Sequence, residues 1–252
     1  MGGDVSGRPV EGRGLFIVFE GVEGAGKSTH IQAVSDRLSQ AGVDHVLIRE
    51  PGGTVVGERA RELVLDPGLE MCAEAELFLY LTSRAEFVRR LVIPALELDK
   101  LVLADRYELS TFAYQGAARG LDLDRVREAN HLATGGLEPD LTVLLRIDPQ
   151  RGRGRQSGEP DRLESERAEF HRSVAIAYDR MASLDAAIVS VDTGGEAVEV
   201  HERIWGELSM RWPDRFEADS VATGNISSAN EFQRKNPASS GDASISTGQE
   251  AE

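Results

Sequence analysis

The sequence predicts an α/β protein: a five-stranded parallel sheet with helices on both faces. Three observations lead there. Five short aliphatic runs recur along the 252 residues, stretches of helical spacing separate them, and a glycine-rich octapeptide joins the first run to the first helix. Strands that alternate with helices build a parallel sheet covered on both sides.

The elements follow in order. Leu15-Phe16-Ile17-Val18-Phe19 is a continuous apolar run of strand length, as expected where both faces are buried. His45 to Ile48, Leu101 to Ala104, Leu141 to Ile147 and Ala187 to Val191 read the same way. Helical spacing runs from Ser28 to Gln40, Ala73 to Leu98, Asp122 to Thr134, Glu164 to Leu184 and Glu196 to Met210. Pro94 is expected to kink the second of these or end a turn within it. Residues 1–13 read as a flexible Gly-rich leader and 14–212 as the folded domain. Residues 213–252, rich in Ser, Asn, Gly and Asp, read as a disordered polar tail with too little apolar surface to order itself.

Composition narrows the function. With 28 basic and 43 acidic residues the formal charge is −15. Such a field repels polyanions and argues against a general nucleic-acid-binding surface. A small anionic ligand stays compatible, because a few arginines outweigh the global charge at short range. The single cysteine, Cys72, excludes a disulfide framework and a Cys-rich zinc site, and fits a reducing compartment. No apolar run approaches the ~20 residues of a membrane span, and the start lacks the basic-then-apolar order of a signal peptide. A cytoplasmic protein with neither membrane nor nucleic acid as partner is expected.

Gly21-Val22-Glu23-Gly24-Ala25-Gly26-Lys27-Ser28 fits G-x-x-x-x-G-K-[ST] between a predicted strand and a predicted helix. Its glycines let backbone N–H groups turn inward around phosphates, and the helix that follows aims its positive end at the same place. Lys27 can reach the β- and γ-phosphates, and the Ser28 hydroxyl can bind Mg²⁺. The chain has three lysines, Lys27, Lys100 and Lys235, which makes a chance match rare. A nucleoside triphosphate is the expected ligand. No guanine-reading Asn-Lys-x-Asp occurs, so a GTPase is excluded. The third aliphatic run ends Leu103-Ala104-Asp105-Arg106-Tyr107. Asp105 is placed to hold Mg²⁺ or its water shell across from Ser28. Arg106 suggests a second phosphate-bearing ligand, although Asp-Arg in isolation would read as a surface ion pair.

Four segments together resemble the thymidylate kinase family, whose members phosphorylate dTMP with ATP. They are Phe19-Glu20-Gly21-Val22-Glu23-Gly24-Ala25-Gly26-Lys27-Ser28-Thr29; Arg49-Glu50-Pro51-Gly52-Gly53-Thr54; Asp105-Arg106-Tyr107-Glu108-Leu109-Ser110-Thr111-Phe112-Ala113-Tyr114-Gln115-Gly116; and Asp161-Arg162-Leu163-Glu164. The similarity covers roughly residues 14 to 212 in the family's order and spacing. The resemblance implies a three-layer P-loop fold with a small lid at about residues 149–162, ATP as donor, Mg²⁺ held by Ser28 and Asp105, dTMP as acceptor on the way to dTTP, and a homodimer. The dimer contact is expected around Ala73 to Leu98 and Asp122 to Thr134.

Residue roles carry over position by position. Residues 21–29 would hold ATP. Arg49 and Arg106 would clamp the acceptor phosphate, since an arginine fork suits phosphate oxygens better than a lysine point charge. Glu23 would bind the sugar 3′-hydroxyl; the alternative is a loop carboxylate pointing into solvent. Tyr80 would stack on thymine where the family usually has Phe, and Arg84, on the same helix face, would bond its O4. Tyr80 also reads as a plain core residue. Ser110 and Thr111 match polar positions near the base edge, Tyr114 the aromatic that favours deoxyribose, and Gln115 lies beside it. Residues 22–25 contain no arginine, so the catalytic cation is expected in the lid, at Arg153 or Arg155. Arg146 departs from the Asp usual at that strand end. A deoxynucleoside kinase is the runner-up, opposed by the two-arginine clamp. A non-catalytic nucleotide-binding relative is opposed by the intact Lys27, Ser28 and Asp105.

Overall fold

The computed structural model describes residues 13–148, 151–152, 154 and 160–216. The expected leader apart from Arg13, the expected tail beyond Phe216, and both candidate lid arginines, Arg153 and Arg155, lie outside the described residues.

Five parallel strands form one sheet in the order β2-β3-β1-β4-β5: β1 (Phe16–Glu20), β2 (His45–Arg49), β3 (Leu101–Asp105), β4 (Leu141–Arg146) and β5 (Ile188–Asp192). All five expected strands are present. β1 is central and buried throughout, which is why its sequence is an unbroken apolar run. Its side chains alternate between faces. Ile17 and Phe19 pack under α1 (Lys27–Gln40) and α8 (Ala197–Arg211), while Phe16 and Val18 pack under the long helical run that begins with α3 (Ala73–Phe87). Register decides the site: Phe19 and Arg49 both pair with Asp105, and Glu20 pairs with Leu144. Charged residues thus gather at the carboxyl edge of the sheet, where open α/β sheets bind ligands.

Four helical regions differ from expectation. The Ala73 to Leu98 stretch is not one α-helix. α3 gives way to a π-helical segment, Val88–Val92, and α4 (Ile93–Glu97) follows with Pro94 in its first turn. Pro94 lacks an N–H and would crowd the carbonyl four residues back, so the ladder is re-spaced upstream of it. α2 (Val55–Leu65) lies in a stretch the sequence reading leaves unassigned; Thr54 caps it by accepting from the Gly57 N–H at 2.9 Å. α5 (Glu108–Thr111) and a π-helical segment, Phe112–Ala118, carry the Asp-Arg-Tyr motif into α6 (Leu123–Thr134). α7 (Ala168–Leu184) begins four residues later than the spacing suggests. Before it, Asp161 accepts from the N–H groups of Leu163 and Glu164 and holds a turn.

The folded body also runs past residue 212. Phe216 is 1 % exposed, with its ring edge-on to Trp205 at 5.4 Å, and Arg215 pairs with Asp99 at 2.6 Å. The folded body therefore extends at least to Phe216, past the expected boundary at 213. Composition missed it because one aromatic carries the docking.

Candidate active site

The glycine-rich loop leaves β1 and ends at Gly26, whose φ of 87° lies in the left-handed region. Gly24, at φ 75°, comes against the backbone at position 152: a Cβ there would stand 2.0 Å from the Gly152 carbonyl oxygen. Lys27 is 7 % exposed and its ammonium donates to the Gly21 and Val22 carbonyls at 2.9 and 3.0 Å. Burial, with Arg106 nearby, lowers its pKa against the opposing pull of Glu23, Asp105 and Glu20. Ser28 Oγ donates to Asp105 Oδ2 at 3.2 Å. The two expected metal-binding residues, distant in sequence, thus meet at the mouth of the loop. Both are hard oxygen donors, and no group of three or more His, Cys, Asp or Glu with metal-binding spacing occurs among the described residues. That donor set fits Mg²⁺, which keeps several waters and takes few protein ligands. A cavity of about 460 Å³ opens beside Val22 at the ends of β4 and β5, against Tyr178 and Asp179 of α7. Arg146, the departure noted above, pairs with Asp179 at 2.8 Å on its wall.

Across the sheet edge stands Arg106. Its φ of 74° is unusual for a residue with a side chain, and a backbone bond to the Phe19 carbonyl at 2.9 Å secures it. The guanidinium donates to the Gly21 carbonyl at 3.2 Å and to Ser110 Oγ at 3.1 Å, pairs with Glu23, and lies 5.6 Å from the Tyr114 ring centroid. Burial works to raise the Glu23 carboxyl, but Arg106 and Lys27 overcome it and hold the pKa at about 2. The Glu23 charge is matched from within the site by Arg106, although its side chain stays 34 % exposed. Tyr80 packs at the edge of the cluster containing Tyr114, Leu163 and Phe170, and its hydroxyl lies within electrostatic reach of Arg106 and Tyr114. Arg49 donates to both oxygens of Glu58 at 3.1 and 3.2 Å and to the Pro51 carbonyl at 3.3 Å.

Four expected base-side residues make hydrogen bonds within the protein. Arg84 is 1 % exposed, and all five of its N–H groups have protein partners: the Glu50 carboxylate at 2.7 to 3.0 Å, Thr111 Oγ1 at 2.9 Å, Asn130 Oδ1 at 2.8 Å and the Tyr107 carbonyl at 2.9 Å. These bonds tie α3 to the sheet edge. Thr111 is one of the acceptors. Ser110 donates to Glu20 at 2.6 Å and accepts from Arg106, and so links the arginine to the buried carboxylate. Gln115, 1 % exposed, donates its amide to Glu76 at 2.8 Å.

Sequence reasoning missed the carboxylates beneath these side chains. Glu20 is fully buried and accepts from the N–H groups of Tyr107 and Ser110 and the hydroxyls of Ser110 and Tyr178, at 2.6 to 3.0 Å. Glu50 and Glu76 are buried likewise. Arg61, on α2, donates to the Pro51 carbonyl at 3.0 Å; burial and the neighbouring Arg49 lower its pKa. The available signal was Thr54 as a cap followed by Gly57, Ala60 and Val64 at helical spacing, all three buried.

The thymidylate kinase family model matches residues 19–204. Thymidylate kinase of Synechococcus sp. (strain JA-3-3Ab) is 45 % identical over 198 residues, 78 % of this chain and 96 % of that protein. Thymidylate kinase of Deinococcus radiodurans is 45 % identical over 202 residues, 79 % and 98 % of the two chains. A crystal structure of thymidylate kinase from Ehrlichia chaffeensis superposes with a TM-score of 0.65 at 28 % identity, covering 78 % of this chain and 98 % of the other. Sequence relatives, family model and fold agree with the phosphate loop and the arginine-lined edge opposite it: the chain belongs to the thymidylate kinase family and is a kinase.

Proposed function

We propose that this kinase phosphorylates dTMP to dTDP, with ATP as donor, Mg²⁺ as the metal and the cytoplasm as its location. The observation that carries the reading is one junction: Ser28 meets Asp105 on one side of the loop, and Glu23 meets Arg106 on the other. Two anionic ligands brought end to end need that alternation of charge. The loop N–H groups and Lys27 receive the donor phosphates. Ser28 and Asp105 hold Mg²⁺, which when bound neutralises charge on the donor phosphates. The acceptor phosphate, with a second pKa of roughly 6, is largely a dianion at neutral pH and needs no general base. Arg106 and Arg49 orient it, and Glu23, ionised well below neutral pH, accepts from the sugar 3′-hydroxyl. Tyr80 and Tyr114 enclose base and sugar, with Gln115 at the base edge. Lid arginines Arg153 and Arg155 supply the cation that strengthens its hold as the phosphoryl group moves.

Phe78 on α3 and Leu132 on α6 are 61 % and 84 % exposed, and the two helices pack together through Leu77, Leu81 and Val126. This apolar exposure on adjacent helices supports a homodimer through that face. No helix among the described residues is long and apolar enough to cross a membrane.

A coupled assay with ATP and each nucleoside monophosphate tests the reading, with dTMP expected as the preferred acceptor. Lys27→Ala should abolish turnover at saturating ATP with little change in melting temperature; wild-type turnover in that variant would refute the donor site.

A further inference from the structure

Glu76 has no part in the reaction described above, yet it is built like a functional group. It lies on α3 four residues before Tyr80 and is 1 % exposed. Three side chains from outside its helix converge on its carboxylate. Oε1 accepts from the Gln115 amide at 2.8 Å, and Oε2 accepts from Arg162 at 2.6 Å and from Arg119 at 3.0 Å, while Arg119 Nε is shared between the two oxygens at 3.2 Å. Glu166 balances the second arginine at 2.5 Å. Burial works to raise the Glu76 carboxyl, and the hydrogen bonds from Arg119, Gln115 and Arg162 outweigh it, keeping the group ionised at neutral pH.

An ionised carboxylate only accepts hydrogen bonds. The amide of Gln115 must therefore turn its NH₂ toward Glu76, which leaves its carbonyl oxygen as the group it can offer elsewhere. An acceptor is what the N3–H of thymine requires. Cytosine carries a bare acceptor at N3 and a donor at N4, so it would need the opposite orientation. We infer that Glu76 is a specificity-determining positioning residue: by accepting from Gln115 it locks the amide in the orientation that selects thymine over cytosine. This rests on the placement of Gln115 at the base edge proposed above.

The arrangement makes a directional prediction for Glu76→Gln. Arg162 and Arg119 both demand an acceptor at the Oε2 position, so the new side chain must place its carbonyl there and its NH₂ toward Gln115. Gln115 then has to flip, offering NH₂ to the base. The test is steady-state kinetics with dTMP and dCMP at saturating ATP and Mg²⁺. Glu76→Gln should raise KM for dTMP more than it lowers kcat and should shift the dTMP/dCMP ratio of kcat/KM toward dCMP by about tenfold or more, on the scale of one hydrogen bond made or lost in a buried site. Glu76→Asp, still acceptor-only, should keep the wild-type ratio even if its rates fall. In a Gln115→Ala background the Glu76→Gln shift should vanish.

A ratio within about twofold of wild type in Glu76→Gln, well under the effect of one hydrogen bond, overturns the inference, as does a collapsed ratio in Glu76→Asp, which also serves if Glu76→Gln does not fold. If Gln115→Ala leaves KM for dTMP unchanged, the fault lies instead with the placement of Gln115 at the base. A purely structural Glu76 would lower stability and both activities together without moving the ratio.

Discussion

At the scale of single residues, the site is governed by how buried charges are matched. Arg106 shows this most directly, because it faces both the phosphate loop, through Gly21 and Glu23, and the proposed acceptor side, through Ser110 and Tyr114. Arg106→Ala should lower turnover with dTMP on the order of 10³-fold, the scale of other phosphoryl-transfer arginines. The Glu23 carboxyl should rise from about 2 toward the ordinary range in the same variant, which a titration followed by NMR would read. Glu108 is the opposite case. Burial raises its carboxyl to about 7, against the pull of Arg84 and a hydrogen bond from Asn130. A carboxyl raised in the folded state binds its proton more tightly there than in the unfolded chain, so its contribution to stability is present below the ordinary pKa and is lost as pH rises through about 7. The loss amounts to about 3 kcal/mol above pH ~8. Glu108→Gln keeps an acceptor for Asn130 without the charge. Its melting temperature should fall less than that of the wild type between pH 5 and pH 8; parallel curves would show that Glu108 does not titrate in this window.

At the scale of elements, short helices outside the regular alternation do the positioning. α2 is the clearest example: Glu58 from its first turns holds Arg49, and Arg61 reaches Pro51. Its start depends on the Thr54 side chain. Thr54→Ala should cost about 1 kcal/mol in denaturant unfolding and should raise KM for dTMP more than KM for ATP, because Arg49 loses its support while the phosphate loop does not. An unchanged ratio of the two KM values would separate α2 from the acceptor site. The proline at position 94 shows how far sequence reasoning reaches at this scale. That Pro94 disturbs the helix was legible from its missing N–H. That the disturbance takes the form of a π-helical turn at Val88–Val92 was not, since the re-spacing depends on packing along Phe87, Val88 and Val92 against β1 and β3.

At the scale of the whole molecule, one sheet edge collects groups from many parts of the chain, and the segment following α8 closes the opposite layer. Phe216 packs against Trp205 and Trp212 over the cluster that α8 shares with α1. Phe216→Ala should therefore cost roughly 3–5 kcal/mol, read by thermal or denaturant melts, while activity at low temperature stays near wild type. A change under about 0.5 kcal/mol, as at an ordinary surface position, would return the boundary to residue 212. The sequence by itself determined the parallel sheet, because strands buried on both faces must be continuous apolar runs, and it determined the phosphate loop with Ser28, Lys27 and Asp105, because backbone approach to phosphate demands glycines at set spacing beside a strand end. Only the tertiary structure decided how Arg84 is paired. Its partners, Glu50, Thr111, Asn130 and the Tyr107 carbonyl, lie 23 to 46 residues away along the chain. Hydrogen bonds made across such separations leave no periodicity in the sequence. They arise when strand register and helix packing bring the partners together.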